Sequence, residues 1–158
     1  MIAHGQVMRK RRSTTATRPI VDALEQIVFA GVALTTRALS EARADLDLTL
    51  AQWRVLVVLG ETEDGATISQ VAARIGVTLP ATSRQVRRLV RRGLAEVGQD
   101  ERDRRATRVR LTGLGRSARD DVVSFRRRKI AQIAASLDLD PAMATQLARI
   151  ADAFDQSG

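Results

Sequence analysis

Four arginines at helical spacing are the side chains of this sequence whose type and pattern best fit a binding chemistry. Arg84, Arg87, Arg88 and Arg91 recur every three or four residues. In a helix such residues share one face, where guanidinium groups neutralise phosphates or form paired hydrogen bonds to guanine. Two interpretations follow: a surface that binds nucleic acid, or a solvated helix face whose arginines only keep the protein soluble.

The position of each residue along such a helix predicts its role. The N-terminal half of a helix inserted in the major groove reads the bases, so Arg84 is the first candidate for a guanine contact. Ser83 and Thr78 are expected to reach bases or phosphates, whereas Arg91 and Arg92 are expected to reach only the DNA backbone. The residues predicted to contact DNA are Thr67, Thr78, Ala81, Ser83, Arg84, Arg87, Arg88, Arg91, Arg102, Arg104 and Arg105.

The positive charge of the chain is concentrated in two segments. The 158 residues contain 26 Lys+Arg and 18 Asp+Glu, a net charge of +8. Residues 80–110 hold ten arginines and four acids, and residues 1–18 hold five cations and no acid. A polyanion is the partner that such segments attract. Residues 1–18 are predicted to be a flexible basic arm, interpreted as a solvated terminus, a nucleic-acid arm or an organellar transit peptide.

Several classes of function are disfavoured by composition. The chain has no Cys, which excludes disulfides, thiolate metal sites and thiol redox sensing, and its one His is His4. Without a converging His, Cys or carboxylate site, or a glycine-rich phosphate loop, we predict no enzyme, no cofactor and no metal. No uninterrupted apolar run approaches the ~18 residues of a membrane span. A cytoplasmic protein with no membrane partner is therefore expected.

The elements that must position the arginines are two short helices followed by a hairpin. Thr67 and Gln70 have the spacing of a capping box, and Gly76 has the place of a left-handed C-terminal cap. Thr78 is expected to cap the second helix, with Pro80 in its first turn. The apolar positions predicted to face inward on the two helices are Ile68, Val71, Ala72, Ile75, Thr82, Val86 and Leu89. This pattern is a helix-turn-helix.

The segment that follows alternates with a period of two. Strands are predicted at residues 94–97 and 107–111, joined by a polar tip over residues 98–105. Asp103 and Arg105 are placed to hydrogen bond and hold the tip in shape, which directs Arg102 and Arg104 outward, where a narrow minor groove accepts an inserted arginine. The alternative is a mobile charged turn. A helix-turn-helix followed by this hairpin is a winged helix.

Helices are predicted on both sides of this region. One runs from Pro19 to about Ala42, and a second begins after Thr49, with Trp53, Leu56, Val57 and Leu59 inward. A long helix follows Thr112 to about Leu137, and a last one begins near Asp140-Pro141. The basic run 126–129 is interpreted as a solvated face, with DNA or an anion as the alternative. The predicted fold class is mainly α with a small β-hairpin.

The stretch from Leu48 to Arg116 resembles the winged helix of the MarR (multiple antibiotic resistance regulator) family of bacterial transcription factors. The matching pieces are Leu50-x-x-Trp53-Arg54-Val55-Leu56, Ile68-x-x-Val71-Ala72-x-x-Ile75-Gly76-Val77, Asp100-x-x-Asp103-x-Arg105 and Val109-x-Leu111-Thr112-x-x-Gly115. The resemblance implies a winged helix-turn-helix over residues 48–112, with dimerisation helices at 19–47 and 113–158. It implies a homodimer on a pseudo-palindromic operator with half-sites about 34 Å apart. It also places Ser83 and Arg84 at base-reading positions, and Asp103 and Arg105 as the structural pair of the wing.

Many members of that family bind a small anionic or phenolic effector near the junction where Trp53 and Arg54 lie. These two residues are the candidate effector contacts, although Trp53 also fits the apolar stripe of its helix and is then a core residue. The sequence therefore predicts a DNA-binding transcriptional regulator, a repressor acting as a homodimer, and leaves open whether a small effector releases it. The alternative is a basic architectural or RNA-binding module, disfavoured by the scarcity of aromatic side chains.

Overall fold

The structure is a computed structural model that describes the backbone of residues 4–42, 44–99 and 107–156, and side chains from residue 17 onward within those ranges. The chain divides into two compact units, Met1–Arg37 and Ala38–Gly158. The helices are α1 (His4–Ala42), α2 (Leu50–Gly60), α3 (Ile68–Ile75), α4 (Leu79–Arg91), α5 (Gly113–Ser136) and α6 (Met143–Gln156), and the strands are β1 (Ala95–Gln99) and β2 (Thr107–Leu111). The predicted fold class is confirmed.

The start of the first helix differs from the prediction. We expected a flexible arm up to residue 18 and a helix from Pro19, because proline favours a first turn, but α1 begins at His4 and contains Pro19 in its interior. An interior proline removes one backbone hydrogen bond and crowds the carbonyl of the preceding turn, but the Arg, Lys, Gln and Ala residues before Pro19 have high helix propensity. The predicted end of this helix, at Ala42, is confirmed.

Residues of α1 in the first unit expose a large apolar surface. Ile20, Ile27 and Phe29 are between 58% and 78% exposed. The segment Thr17–Ala42 is long and apolar enough, by length and composition alone, to cross a membrane, and one such helix is weak support for a span. No uninterrupted apolar run was found in the sequence because acidic residues such as Asp22 break the segment.

Local hydrogen bonds explain where α2 and α3 begin and where α3 ends. Thr49 and Gln52 form a reciprocal capping box at α2, and Thr67 and Gln70 form another at α3. Gly76 ends α3 with φ of 63°, a left-handed conformation that favours glycine. The predicted capping box of Thr67 and Gln70, the predicted cap at Gly76 and the predicted helix start after Thr49 are confirmed.

The core of the second unit packs α2, α3, α4 and α5 against the hairpin. Its largest fully buried apolar side chains are Leu56, Leu59, Leu89, Leu94, Val55, Val71, Val86, Val109 and Val122. Trp53, Leu56 and Leu59 are buried as predicted, whereas Val57 is only half-buried. Burial of this apolar surface fixes which sides of α3 and α4 face solvent.

The hairpin is antiparallel, with Ala95 opposite Leu111 and Gln99 opposite Thr107. The first strand begins one residue later and ends two residues later than the predicted 94–97, because backbone pairing with the second strand continues through Gln99. Ala66 bridges Val109 on the other edge of β2, which joins the hairpin to the segment before α3.

Candidate nucleic-acid interface

Helix α4 presents its arginines to solvent because its opposite side is anchored in the core. Thr82, Val86 and Leu89 are buried, at the spacing of one helix face. The residues that lie on the exposed side are Arg84, Arg87, Arg88 and Arg91. The four arginines therefore lie on one exposed face of α4, as their spacing predicted.

These four guanidinium groups carry charge that no acid neutralises within the described part of the chain. Among the described residues, none of the four forms an ion pair or a side-chain hydrogen bond. Their donors are thus available to phosphate oxygens and base edges. The arrangement is chemically suited to a polyanion with regularly spaced acceptors, and the role of each arginine stays a prediction.

The predicted DNA contacts near the start of α4 differ in burial and in their hydrogen bonds. Thr78 is the N-cap residue, as predicted, although its side chain makes no capping hydrogen bond. Pro80, two residues later, has no N–H to be capped. Ser83 and Ala81 are half-buried. The hydroxyl oxygen of Thr67 accepts the backbone N–H of Gln70, which leaves its proton free to donate.

Arg92 links the end of α4 to the start of α2. Its Nη1 donates to the carbonyl oxygen of Asp47 at 3.2 Å and to Oε1 of Gln52 at 3.4 Å. These bonds tie the side chain to the start of α2, and its predicted contact with the DNA backbone stays a prediction. The partner residues are 45 and 40 positions away, so no local sequence signal marked this role.

The base of the hairpin is fixed by another arginine. Nη1 of Arg108 donates to the carbonyl oxygen of Gly65 at 2.8 Å, 43 residues earlier in the chain. This hydrogen bond and the Ala66–Val109 bridge hold the hairpin against the helix-turn-helix. The hairpin residues Arg102, Asp103, Arg104 and Arg105 lie outside the described residues, so their predicted roles in the wing stay predictions.

An apolar groove of about 520 Å³ lies beside the arginine face, between α4 and the first strand. Its floor contains Val90 and Val97, the second of which is 53% exposed. The residues that line it are Ile68, Arg84, Val86, Arg87, Arg88, Val90, Arg91 and Val97. The hydrocarbon stems of arginines can cover such a surface while their charged ends reach outward.

The two candidate effector contacts have other partners in this structure. Trp53 is 3% exposed and belongs to the hydrophobic core, as its place in the apolar stripe indicated. Nη2 of Arg54 donates to the carbonyl oxygen of Ile75, at the end of α3. Among the described residues, no group of His, Asp or Glu side chains could hold a metal ion.

The chain is similar to proteins of one family in both sequence and structure. A family profile described as MarR family matches residues 46–106. RV1404 from Mycobacterium tuberculosis is 30% identical, with a TM-score of 0.71, over 90% of this chain and 93% of that one. No curated protein matches the sequence.

Two further solved structures share the fold at lower identity. CouR from Rhodococcus jostii RHA1, bound to p-coumaroyl-CoA, is 24% identical with a TM-score of 0.62, over 83% of this chain and 90% of that one. A MepR variant from S. aureus, bound to an oligodeoxyribonucleotide, is 21% identical with a TM-score of 0.57, over 87% of this chain and 98% of that one.

Proposed function

The chain belongs to the MarR family of winged-helix, DNA-binding transcriptional regulators, and on this premise we propose that it represses transcription as a homodimer on a pseudo-palindromic operator. Helix α4 of each copy would enter one of two successive major grooves, about 34 Å apart. Regulators of this family are generally not enzymes, and we propose no catalytic role for this chain. We infer that it acts where the DNA is, in the cytoplasm and at the nucleoid.

The observation that carries this proposal is the row of arginines on α4 that have no ion-pair partner among the described residues. Arg84, Arg88 and Arg91 follow one another at helical spacing on the exposed side, and Arg87 lies beside them. Contacts with phosphates release counterions and give affinity without sequence preference. Arg84 lies nearest the N-terminal end of the helix, which supports its assignment to a base edge.

Dimerisation is supported by apolar surface that a single chain leaves exposed. In the first unit, this surface is the side of α1 that carries Ile20, Ile27 and Phe29. In the second unit, it lies on the C-terminal half of α5, on the segment that follows this helix and on α6. No residue of α6 is buried. The exposed apolar side chains there are Ile130, Ile133, Leu137, Leu139, Met143, Leu147 and Phe154. Surfaces of this kind mark interfaces, and a second copy of the chain is the partner typical of the family.

We also propose that a small effector releases the protein from DNA. This part of the proposal is carried by the likeness to CouR, whose structure holds p-coumaroyl-CoA. We propose an anionic or phenolic ligand of the same general chemistry. Trp53 and Arg54 remain candidate contacts, but the indole would have to leave the core and the guanidinium would have to release Ile75.

The test compares duplex DNA from the chain's own promoter region with a random duplex at matched salt. A sequence-specific regulator binds the promoter duplex more tightly, whereas a basic architectural module binds both alike and an RNA-binding module prefers RNA. Arg84→Ala should weaken promoter binding by about 1–3 kcal/mol with little effect on random DNA. Equal losses on both duplexes would remove Arg84 from the base-reading role.

Arg91→Ala is the matched control on the same helix face. This substitution should weaken binding to all duplexes alike and lower the slope of log affinity against log salt by about 1, since one phosphate contact is lost. Sedimentation of the free protein tests the homodimer, and a monomer at the concentrations that bind DNA would contradict that part of the proposal.

A further inference from the structure

The first turn of α4 has a different chemistry from the rest of the helix. Leu79, Pro80 and Ala81 are three consecutive apolar residues, and Val77 precedes the capping position. Leu79 is 50% exposed and Val77 is 38% exposed. The N-terminal end of this helix therefore shows apolar surface to solvent, directly before the first of the exposed arginines.

The exposed side of this turn is aligned with the arginine face. Pro80 is exposed and lies four residues before Arg84, so the two side chains are neighbours one turn apart on the same side of the helix. Leu79 and Pro80 offer no side-chain donor or acceptor, and Pro80 lacks a backbone N–H. This turn therefore cannot read a base edge through side-chain hydrogen bonds at these two positions.

The major groove contains one apolar feature that such a surface can recognise. Each thymine carries a C5 methyl group on the groove floor, whereas the other bases offer only donors and acceptors there. The N-terminal residues of a recognition helix lie nearest the base edges. Contact with the methyl group removes apolar surface of both partners from water.

We propose that Leu79 and Pro80 read a thymine methyl group in each operator half-site, next to the base that Arg84 contacts. This inference rests on the proposed function, because it requires α4 to lie in the major groove. It gives Leu79 and Pro80 a role in recognising the operator sequence, whereas the sequence pattern indicated only that a helix begins there. It also predicts that the half-site contains a thymine that no hydrogen bond from this turn recognises.

The experiment replaces each thymine of a bound half-site, one at a time, by deoxyuridine. This change removes only the C5 methyl group and keeps the base pairing and the O4 acceptor. At the thymine that the first turn reads, the wild-type protein should bind about fourfold more weakly per half-site, the fold-change that corresponds to burial of one methyl group. At the other thymines, affinity should stay unchanged.

Two variants then assign the effect to this turn. In Leu79→Ser and Pro80→Ser, the affinity ratio between the thymine and deoxyuridine duplexes should fall toward one, with helix content checked by circular dichroism. Arg91→Ala is the control: it should weaken binding to both duplexes but keep the wild-type ratio.

The outcomes separate this inference from the proposed function. If deoxyuridine is tolerated at every position of a specifically bound operator, the inference is wrong while the regulator assignment stands. If the methyl effect persists at full size in both serine variants, another residue reads the methyl group and the inference is again wrong. If the wild-type protein shows no preference for any duplex, the proposed function itself fails.

Discussion

Nη1 of Arg74 lies 2.6 Å from Oδ1 of Asp155, 81 residues away in sequence. The pair joins α3, the first helix of the helix-turn-helix, to the last turn of α6. Oε2 of Glu61 lies 3.7 Å from Nε of the same arginine. The hydrogen bond from Arg74 to Asp155, followed by the attraction of Asp155 and Glu61, raises the pKa of Arg74 above its ordinary value. This is a direct link between the DNA-binding segment and the C-terminal helix.

Asp155→Asn should lower the thermal midpoint slightly at low salt and leave it unchanged at high salt. Both side chains are largely exposed, and exposed ion pairs are weak and screened by ions. Because the folded-state pKa of Arg74 is raised, the contribution of its charge is complete below its unfolded pKa and is lost only as pH rises through the folded value. The arginine therefore introduces no pH dependence near neutrality. Asp152→Asn, on the same exposed helix, is the control, and an equal salt response in both variants would contradict the link.

Gly115→Ala should destabilise the fold by about 1–3 kcal/mol or more, the cost of an overpacked core. A Cβ at this buried position overlaps the carbonyl oxygen of Leu94, which is backbone and cannot swing aside. Gly113→Ala, two residues earlier in the same helix, meets nothing within 4 Å and should be neutral or slightly stabilising. Urea unfolding of the two variants measures the difference, and equal stabilities would show that the hairpin and α5 do not pack this closely.

Arg92→Ala and Arg91→Ala should separate stability from DNA affinity. Arg92 binds the carbonyl oxygen of Asp47 and the side chain of Gln52, so its removal should lower the free energy of unfolding by about 1 kcal/mol. Arg91 is exposed, and its removal should leave unfolding unchanged while weakening all duplexes. Denaturant titrations paired with DNA binding check both expectations. A loss of DNA affinity in a fully stable Arg92→Ala protein would instead support the predicted contact of this residue with the DNA backbone.

Arg104→Ala tests the predicted wing. If this side chain enters a minor groove, its removal should weaken binding most on operators with A·T-rich flanks, where the groove is narrow and its potential most negative. Binding measured on A·T-rich and G·C-rich flanks around one central sequence gives the comparison. Equal affinities of the variant and the wild-type protein on both flanks would support the mobile charged turn instead.

The part of the fold that the sequence predicted rests on interactions between near neighbours. Thr49 with Gln52 and Thr67 with Gln70 close hydrogen bonds across three residues, so their spacing contains the information needed to place two helix starts. The same holds for Thr82, Val86 and Leu89, whose helical spacing decided which side of α4 is buried. The exposed arginine face follows from that burial and needed no knowledge of distant residues.

Where the structure differs from the prediction, the cause is an interaction with a residue far away in sequence. The first strand extends to Gln99 because Gly98 and Gln99 pair with residues of the second strand, which begins at Thr107. The residue types at positions 98 and 99 do not indicate this pairing. Arg92 and Arg108 look like further members of a basic surface, and only the folded chain brings backbone carbonyls within reach of their guanidinium groups.

The sequence by itself determined the winged helix and the side of α4 that carries positive charge, because hydrophobic periodicity and helix caps act over three to seven residues. Tertiary structure alone decided which arginines remain free to bind. A guanidinium group bonds to whichever acceptor the folded chain brings within about 3 Å, and for Arg74, Arg92 and Arg108 that acceptor lies 40 to 81 residues away.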